Sequence, residues 1–384
     1  MLPAKFTLLQ VTPALDAGGV EALTVDVARA AAEAGARSLV ASRGGRLEGE
    51  LARGGGELIR LPMDSRNPLT LLANAARLET VIREQGVSLV HVRSRAPAFS
   101  ALRAARRAGV PIVATYHGIY SARSGLKRWY NAVMTRADRV IANSGFTRDH
   151  IAAEHAGAAA RVAVIPEGVD TALFDPAAVG PERVAAIRAA WGLPADDPRK
   201  VILVAARLTG WKGHKVMVEA LAGMAARTDT VLVFAGTGES SAYADGLRAD
   251  AARLGLAEAV RLPGPCDDMP AAYAAADIVA SPSVQAESFG RTVAEAGAMG
   301  RPTVVSGIGG APEIIVDGVS GWLTPAGDGA AWVRALDHAM GLSPEDRAAM
   351  GLSARNLILS RFSVAAMCAA TFDLYGQLCD TGRP

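Results

Sequence analysis

Residues 282–306, PSVQAESFGRTVAEAGAMGRPTVVS, decide how this chain is expected to fold and which chemistry it can support. Two carboxylates, Glu287 and Glu295, stand in this stretch with seven residues between them. The spacing around the Ser-Phe-Gly turn predicts a helix from near Phe289, with Glu295 in its first two turns and Glu287 just ahead of it. That position is at the positive end of the helix dipole, which favours an ionised carboxylate. The Gly-Arg-Pro that follows predicts the end of the helix, and TVVS predicts a buried strand.

The same spacing also allows a purely structural role. Glu287, Arg291 and Glu295 follow one another at i, i+4 intervals, which is the spacing of an ion-pair ladder on a helix. Each such pair stabilises a helix by only ~0.2–0.5 kcal/mol. Taken alone the spacing favours this ladder, so a ligand site has to be supported by the rest of the chain.

Short apolar runs alternate with helical patterns along the whole sequence. The runs are FTLLQV, RSLVAS, VSLVHV, VPIVATY and DRVIAN in a first series, and KVILVAA, TVLVFAG, AVRLPG, DIVASPS, PTVVS and GWLTP in a second. Strand-helix alternation of this kind predicts parallel sheets with helices on both faces. The predicted fold class is therefore α/β, with two doubly wound parallel-sheet, Rossmann-like domains facing across a cleft.

A segment rich in Pro, Gly and Asp, IPEGVDTALFDPAAVGPE, separates the two series and predicts a linker. We place the N-terminal domain at residues 1–166 and the C-terminal domain at residues 167–362. We expect the last helix, within residues 363–384, to pack back on the N-terminal domain. Ligands of open parallel sheets bind beyond the carboxyl ends of the strands, so two substrates can meet if those ends face each other.

Composition excludes several protein classes. No apolar run approaches the ~20 residues that span a bilayer, and the first residues make a poor signal peptide, so we expect a cytoplasmic protein. The three cysteines, Cys266, Cys368 and Cys379, show no C-x-x-C spacing and no partnering histidine cluster. Disulfides and structural zinc are therefore not expected.

Positive charge is concentrated in one part of the chain. The net charge is only +2, yet residues 93–148 carry eleven arginines and lysines against a single acid, Asp138. Such a distribution indicates an anionic partner, which is either a phosphorylated substrate or a membrane surface. We expect no nucleic-acid partner.

Residues 118–139, GIYSARSGLKRWYNAVMTRADR, combine these charges with aromatic side chains. Arg123, Lys127 and Arg128 are interleaved with apolar and aromatic residues, a mixture that suits the headgroup region of an anionic membrane. We therefore predict that this segment docks on such a surface and holds the protein peripherally at the inner face of the plasma membrane. The alternative is that Trp129 and Val133, four residues apart, face the core while the cations are solvated.

Several common catalytic signatures are absent from the sequence. It contains no G-x-x-x-x-G-K-[ST] loop, no D-x-D and no H-E-x-x-H, which disfavours a kinase or a metallohydrolase. The FAGTGESS segment offers Gly236 and Gly238 without a third glycine, which disfavours a dinucleotide oxidoreductase. We expect neither a metal nor a resident cofactor.

Two glycine-containing turns are candidate phosphate sites. In DAGGVE, Gly18 and Gly19 let the backbone approach a ligand at a helix N-terminus, although a plain turn has the same sequence. In ARLTGWKGH, Arg207 and Lys212 stand five residues apart, so both cations can converge on one anion. Solvated loop charges are the alternative for this pair.

Taken together, these segments resemble the family 4 glycosyltransferases, which are retaining enzymes of the GT-B fold, across essentially the whole chain. GRTVAEAGAMGRPTVVSGIGGAPEIIVDG, preceded by PSVQAESF, resembles the family signature, with its E-x7-E at Glu287 and Glu295. ARLTGWKGH resembles the phosphate-binding segment, VIPEGVDTALF the interdomain linker, and DAGGVE the N-terminal glycine turn. The basic N-terminal region is similar to a bacterial subset linked to lipopolysaccharide or surface-glycan synthesis.

The resemblance implies roles for individual residues. Glu295 is expected to hold the ribose of a nucleoside diphosphate sugar, and Glu287 to lie beside the donor sugar. Arg207 and Lys212 are expected to clasp the diphosphate without a metal, and His117 to lie near the transferred sugar. The expected catalytic residues are Glu287, His117, Arg207 and Lys212. The expected donor contacts are Gly18, Gly19, Arg207, Lys212, Gly236, Glu287, Ser288, Phe289, Gly290 and Glu295.

The implied function is transfer of a sugar, with retention, from a nucleoside diphosphate donor bound by the C-terminal domain to a glycan or lipid-linked acceptor on the N-terminal domain. A uridine diphosphate donor is favoured and guanosine diphosphate stays open. A nucleotide-sugar epimerase of the same fold and a non-catalytic nucleotide-sugar-binding module are the alternatives. The chain departs from the family pattern at Glu167, where Asn is usual, and at Arg291, where an apolar residue is frequent.

Overall fold

The computed structural model describes residues 2–3, 5–16, 18–120, 124–194 and 196–380. The chain divides into two compact units. Unit 1 is Met1–Gly168 together with Val364–Pro384, and unit 2 is Val169–Ser363.

Within the described residues each unit contains one parallel sheet. Unit 1 has seven strands in the order β3-β2-β1-β4-β5-β6-β7, and unit 2 has six in the order β10-β9-β8-β11-β12-β13. The strands of unit 1 are β1 Thr7–Val11, β2 Arg37–Ser42, β3 Gly56–Arg60, β4 Leu89–Val92, β5 Ile112–Tyr116, β6 Arg139–Ala142 and β7 Val162–Val164. Those of unit 2 are β8 Lys200–Ala205, β9 Thr230–Ala235, β10 Val260–Gly264, β11 Ile278–Ser281, β12 Thr303–Ser306 and β13 Gly321–Thr324.

Helices connect the strands of both sheets. In unit 1 they are α1 Gly19–Glu33, α2 Glu48–Arg53, α3 Pro68–Glu84, α4 Arg95–Ala108, α5 Gly125–Asn131 and α6 Gly145–Glu154. In unit 2 they are α7 Pro181–Ala190, α8 His214–Gly223, α9 Ala242–Arg253, α10 Met269–Ala275, α11 Arg291–Ala298, α12 Gly329–Met340 and α13 Pro344–Arg361. The last helix, α14 Val364–Asp380, belongs to unit 1.

Capping side chains explain where several of these helices begin. Asn67 accepts a hydrogen bond from the Leu69 amide before α3, Asp328 accepts one from Ala331 before α12, and Ser343 accepts one from Asp346 before α13. Each cap satisfies an amide that has no partner inside the helix. Proline at the first position of α3 and of α13 supports the same starts, because its fixed φ already suits a helix.

Most strands are largely apolar because helices cover both faces of each sheet, and the edge strand β3, with Glu57 and Arg60, is an exception. Alternate residues of one strand point to opposite faces. In unit 2, Val201 and Leu203 accordingly belong to one buried cluster, and Ile202 and Val204 belong to another. The burial of each such side chain contributes ~1.5–3 kcal/mol, so these clusters account for most of the favourable free energy of folding.

Helix α14 covers part of one face of the unit 1 sheet. Leu374 and Tyr375 of this helix lie in the same buried cluster as Leu8 and Val113 of strands β1 and β5. The carboxyl ends of the strands carry the predicted site residues of both units. Among the described residues, no helix has the length and apolar character needed to cross a bilayer.

Candidate active site

The loop between β8 and α8, residues 206–213, lies at the carboxyl end of the unit 2 sheet and carries Arg207 and Lys212. Gly213 has a φ of 77°, and a Cβ there would lie 1.9 Å from the Pro282 carbonyl oxygen. Only glycine therefore allows this loop to approach the loop that follows β11. The Val284 amide also donates a hydrogen bond of 2.8 Å to the Trp211 carbonyl oxygen. The two loops are held together by backbone contacts.

Lys212 and Glu287 meet directly at this junction. The Lys212 Nζ lies 2.8 Å from the Glu287 Oε2, with 17% and 18% of the two side chains exposed. The Ser283 hydroxyl donates a hydrogen bond to the Glu287 Oε1, and the Lys212 ammonium lies 4.5 Å from the centroid of the Trp211 ring. Both oxygens of the carboxylate are thus engaged. Glu287 and Lys212, which the sequence predicts separately as site residues, are thus brought into one cluster.

Arg207 occupies the same loop but is exposed. Within the part of the chain that the structure describes, its guanidinium makes no hydrogen bond or ion pair. Its five N–H donors are therefore open to a ligand. Gly236, directly after β9, lies against this segment, since a Cβ there would be 2.1 Å from the Ala206 carbonyl oxygen. This backbone approach requires glycine at position 236, and the contact of Gly236 with the donor stays a prediction.

A second glycine pair fixes the backbone of Glu287. Gly309 has a φ of 76°, and a Cβ there would lie 2.4 Å from the Glu287 carbonyl oxygen. The Gly310 amide donates a hydrogen bond of 2.8 Å to that same oxygen. The position of Glu287 is therefore set by the loop after β12 as well as by Lys212.

Helix α11 begins at Arg291, two residues later than predicted. Gly290 has a φ of 113°, and a Cβ there would lie 2.8 Å from the Cβ of Ala311, so this position requires glycine. Phe289 is buried just before it and Ser288 precedes Phe289 in the chain. The Thr292 hydroxyl donates a hydrogen bond of 3.0 Å to the Ala205 carbonyl oxygen, which ties the first turn of α11 to the end of β8.

Glu295 lies in the second turn of α11 and is held on both oxygens. The Arg291 Nε donates to its Oε1 at 2.8 Å, and the Tyr273 hydroxyl donates to its Oε2 at 2.9 Å. Burial, together with the Glu295 charge, raises the pKa of Tyr273 well above its usual value, so the phenol stays a hydrogen-bond donor. One step of the predicted ladder, Arg291 with Glu295, is present. Glu287 is engaged by Lys212 and Ser283 instead, so the continuous ladder does not form.

His117, Gly18 and Gly19 belong to unit 1. His117 directly follows β5, and its Nδ1 lies 3.1 Å from the Glu167 Oε1, with 6% and 13% of the two side chains exposed. The Asn143 amide nitrogen donates to the same oxygen at 2.9 Å. Gly18 precedes α1 and Gly19 is its first residue; a Cβ at Gly18 would lie 2.4 Å from the Glu21 carboxylate.

Further buried polar contacts lie near His117 in the core of unit 1. The His91 Nε2 lies 2.6 Å from the Thr115 hydroxyl, and its Nδ1 bonds to the Tyr375 hydroxyl. Burial, and then the Arg93 charge, lower the pKa of His91 well below its usual value, so this ring is neutral. The Arg93 guanidinium donates twice to Gln10 Oε1, at 2.9 and 2.7 Å.

These groups surround a small cavity of about 20 Å³, which is room for about one water molecule. Its polar lining residues are His91, Arg93, Thr115, His117, Asn143, Glu167 and Thr371. Sequence reasoning assigns no function to His91 or Arg93. The available signal was the pattern VHVR, in which two polar residues alternate with valine at the end of an otherwise apolar strand.

Two family profiles match the chain. Residues 17–173 match the profile described as Glycosyltransferase Family 4, and residues 187–357 match the one described as Glycosyl transferases group 1. A Mycolicibacterium smegmatis protein is 33% identical over 321 residues, which cover 77% of this chain and 79% of that protein. It is named GDP-mannose-dependent alpha-(1-6)-phosphatidylinositol monomannoside mannosyltransferase.

The chain belongs to the family 4 glycosyltransferases.

Solved structures agree with this family assignment. A glycosyltransferase from Rickettsia africae is 30% identical, has a TM-score of 0.90, and the match covers 99% of this chain and 100% of that one. HepE from Anabaena, solved with UDP and glucose, is 24% identical with a TM-score of 0.82, and the match covers 97% of this chain and 100% of HepE. The predicted fold class of two parallel-sheet domains of the GT-B type is confirmed. The link to lipopolysaccharide or surface-glycan synthesis stays a prediction.

The structure of this glycosyltransferase gives Glu167 a contact with a predicted catalytic residue, His117. In the sequence it was only a departure from the Asn usual in the family, and no ligand contact was assigned to it. The structure places its carboxylate against His117 and Asn143, so it holds one of the predicted catalytic side chains. An acid in a linker gives little signal by itself, because its partners are 50 and 24 residues away in the chain.

Proposed function

We propose that this glycosyltransferase moves a sugar from a nucleoside diphosphate donor to a lipid-linked or glycan acceptor with retention of anomeric configuration. The observation that carries the proposal is the cluster of Lys212, Glu287 and Ser283, together with the exposed Arg207 of the same loop as Lys212, whose guanidinium has no partner among the described residues. These groups share the carboxyl end of a parallel sheet, where open α/β sheets bind their ligands. Glu295, on the neighbouring helix, supplies the carboxylate for the ribose.

The cations of this cluster suit the departing diphosphate. Negative charge develops on the diphosphate as the bond to the sugar breaks, and Arg207 and Lys212 would stabilise it without a metal. Within the described residues, no group of three or more His, Cys, Asp or Glu side chains is arranged to hold a metal ion. Glu287 is a poor candidate nucleophile because both of its oxygens are engaged. A front-face reaction, in which the departing phosphate assists the acceptor hydroxyl, follows from the family.

The donor base is proposed from two relatives that differ. HepE was solved with UDP, which supports the uridine donor favoured from the sequence, whereas the mycobacterial relative is named for GDP-mannose. We propose a UDP- or GDP-hexose and no resident cofactor. Thermal stabilisation of the protein by a panel of nucleoside diphosphates and nucleotide sugars identifies the base. Release of the nucleoside diphosphate during turnover of each nucleotide sugar then identifies the donor.

Product analysis tests the reaction class. A glycosyltransferase releases the nucleoside diphosphate and extends an acceptor. An epimerised nucleotide sugar, formed without any acceptor, would contradict the proposal and support the epimerase alternative. Binding of the donor with neither hydrolysis nor transfer, across lipid-linked and soluble acceptors, would support the non-catalytic module.

A groove on unit 1 supports a lipid-linked acceptor and an anionic membrane as the partner surface. It has a volume of about 770 Å³ and lies between α3, α4 and α5. Leu72, Phe99 and Trp129 contribute to its apolar lining. Five arginines also line it: Arg66, Arg103, Arg106, Arg107 and Arg136. An acid in contact with them is Glu79, 3.4 Å from Arg107. This combination fits lipid headgroups, since each cation near an anionic leaflet contributes ~1 kcal/mol.

Exposure along α5 distinguishes docking from core packing. Trp129 is 52% exposed and Leu126 is 78% exposed, whereas Val133 is buried at 1%. Val133 therefore faces the core, but Trp129 does not, and Lys127 and Arg128 are exposed beside it. Arg123, the third predicted basic contact, lies outside the described residues. We propose that the groove and α5 together contact the membrane surface.

Sedimentation with anionic liposomes tests this contact. The protein should pellet with vesicles containing phosphatidylglycerol at low salt and less so at high salt, because surface charges are screened. Arg103→Glu with Arg106→Glu should abolish pelleting, while Arg248→Glu on unit 2 serves as the matched control. If the unchanged protein never pellets, membrane docking is wrong. If a soluble phosphorylated glycan binds in its place, the groove serves that acceptor.

A further inference from the structure

A second basic pocket lies at the opposite end of the unit 2 sheet. It has a volume of about 340 Å³, and its charged lining residues are Lys200, Arg301 and Arg347. Lys200 is the first residue of β8, whereas Arg207 lies just beyond the last residue of that strand, Ala205. A six-residue strand spans ~20 Å. The pocket is therefore separate from the loop that carries Arg207 and Lys212.

The charges in this pocket are not balanced. Asp277 forms an ion pair with Arg347 and also accepts a hydrogen bond of 2.8 Å from the Val201 amide. Lys200 donates through its Nζ to the Met340 carbonyl oxygen at 2.7 Å, which satisfies one of its three donors, and no carboxylate of the described residues forms an ion pair with it. Among the described residues, Arg347 is thus the one cation of the three that is ion-paired. The pocket has an excess of positive charge that a bound anion would neutralise.

Arg301 shows this imbalance most clearly. In the described part of the chain, its guanidinium has no hydrogen-bond or ion-pair partner, and its Nε is buried. The Nε of Arg347 is also buried without a partner. Buried N–H donors are normally paired, and a buried charge is normally matched by an acceptor or an opposite charge. Burial lowers the pKa of Arg301; the Asp277 charge opposes this effect and the Arg347 charge adds to it, and a bound anion would raise the pKa again.

The walls of the pocket are formed by closely packed backbone. Gly300, just before Arg301, has a φ of 63°. A Cβ on Gly351 of α13 would lie 2.1 Å from the Gly300 carbonyl oxygen, so α13 packs directly on the turn that ends α11. Arg301 and Arg347 are carried by these two packed segments. The cations are therefore held close together without a ligand.

We propose that this pocket is an anion-binding site, distinct from the donor site, that takes a phosphate group. A phosphate accepts several charge-assisted hydrogen bonds at once, and the forked donors of arginine match its oxygens. The volume also admits a small organic group attached to the phosphate, since small-molecule sites begin at ~300 Å³. The ligand is either inorganic phosphate or a small phosphorylated metabolite. Sugar transfer as proposed above makes no use of this site.

Titration of the full chain with inorganic phosphate, against sodium chloride at matched ionic strength, tests the site. Phosphate should raise the melting temperature of the protein, and isothermal titration should show saturable binding of phosphate, from which a dissociation constant is obtained. Arg301→Met should weaken binding about tenfold or more, as expected for the loss of charge-assisted hydrogen bonds. Lys200→Met should weaken phosphate binding as well, and this variant tests the site if Arg301→Met does not fold. Arg227→Met, at an exposed arginine elsewhere in unit 2, should bind as the unchanged protein does.

The donor site also carries cations, so a second pair of variants separates the two. Phosphate binding should persist in the double variant Arg207→Met, Lys212→Met. Loss of binding there, with binding retained in Arg301→Met and Lys200→Met, would overturn the proposal and assign the anion to the donor loop. Absence of any response to phosphate or to glucose 6-phosphate would overturn it too. Tighter binding of glucose 6-phosphate than of phosphate would indicate a phosphorylated metabolite as the ligand.

Discussion

The carboxyl ends of the two sheets carry polar clusters of different construction. In unit 2 the cluster of Lys212, Glu287 and Ser283 is formed by loops, and the neighbouring Arg207 is exposed and open to a ligand. In unit 1, His91, Arg93, His117 and Glu167 surround a cavity of about 20 Å³. The difference supports the proposal that the first cluster receives a charged ligand, whereas the contacts of the second mainly hold its own side chains in place.

Among the variants that test this difference between the clusters, replacement of Lys212 should lower activity the most. Lys212→Met leaves the Glu287 carboxylate without its cation and removes charge from the proposed leaving-group site. We expect kcat to fall by ~10²–10³, the range seen when one group that stabilises transition-state charge is removed. Steady-state kinetics with the identified donor measures it. Lys215→Met, a nearby exposed lysine on α8, should retain full activity.

A fall in kcat of less than fivefold for Lys212→Met, with normal folding, would show that the unit 2 cluster is structural. In that case the ion pair with Glu287 would be the main role of Lys212.

The two glutamates of unit 2 should separate binding from turnover. Glu295→Ala should weaken nucleoside diphosphate binding by ~1.5–3 kcal/mol, because a hydrogen bond to a charged group is lost. Glu287→Ala should spare diphosphate binding and lower turnover, since its carboxylate is proposed to lie beside the sugar. Isothermal titration and initial rates on the same preparations measure both. Equal, small losses of binding in the two variants, with reduced unfolding free energy, would favour a structural role for both.

Buried histidines should make both units sensitive to acid. Burial lowers the pKa of His214 in unit 2 to about 4, and it lowers the pKa of His91 in unit 1 well below its usual value. Because the folded pKa lies below the unfolded one, the unfolded chain takes up the proton first as pH falls. The stability from each neutral ring is complete above pH ~6.5 and is lost toward the folded pKa, at ~1.4 kcal/mol per pH unit.

Urea unfolding at pH 7.5, 6.5 and 5.5 measures this loss. The decline in unfolding free energy below pH 6.5 should be shallower in His214→Gln and in His91→Gln than in the unchanged protein. An unaltered slope in either variant would mean that the ring in question is protonated in the folded state.

The smallest effect is expected at Glu167. Glu167→Gln keeps an acceptor for Asn143 but removes the charge beside His117 and near Arg93. We expect the unfolding free energy to fall by ~1 kcal/mol and turnover to fall less than tenfold, with nucleoside diphosphate binding unchanged. Urea unfolding, initial rates and calorimetry measure the three quantities. Weaker diphosphate binding would show that the unit 1 network contributes to the donor site.

Local sequence predicts eleven of the thirteen strands among the described residues, the helices α11 and α14, and the two carboxylates of the segment around α11, whereas β3 and β7 are not among the predicted runs. The strand runs from FTLLQV to GWLTP appear in the two sheets, because a buried parallel strand needs a continuous apolar run. Glu287 and Glu295 were identified because one short segment contains both of them. The start of α11 was misplaced by two residues because Gly290 takes a left-handed conformation that the sequence does not reveal.

Contacts between segments that are distant in the chain could not be predicted from the sequence. The bond from His91 to Tyr375 joins residues 284 positions apart, and Gly213 meets Pro282 through a backbone approach. The cations Lys200, Arg301 and Arg347 come from three separated segments. No local period or motif marks such groups, since only the tertiary packing of strands and helices brings them together.

The central claim is that the carboxyl end of the unit 2 sheet binds a nucleoside diphosphate through Arg207 and Lys212 without a metal. Calorimetric titration of the unchanged protein and of Arg207→Met with UDP and with GDP, each in the presence of EDTA, tests it most directly. The account predicts that one of the two diphosphates binds the unchanged protein in EDTA and binds Arg207→Met at least tenfold more weakly. Binding that requires added manganese, or equal binding by Arg207→Met, would contradict it.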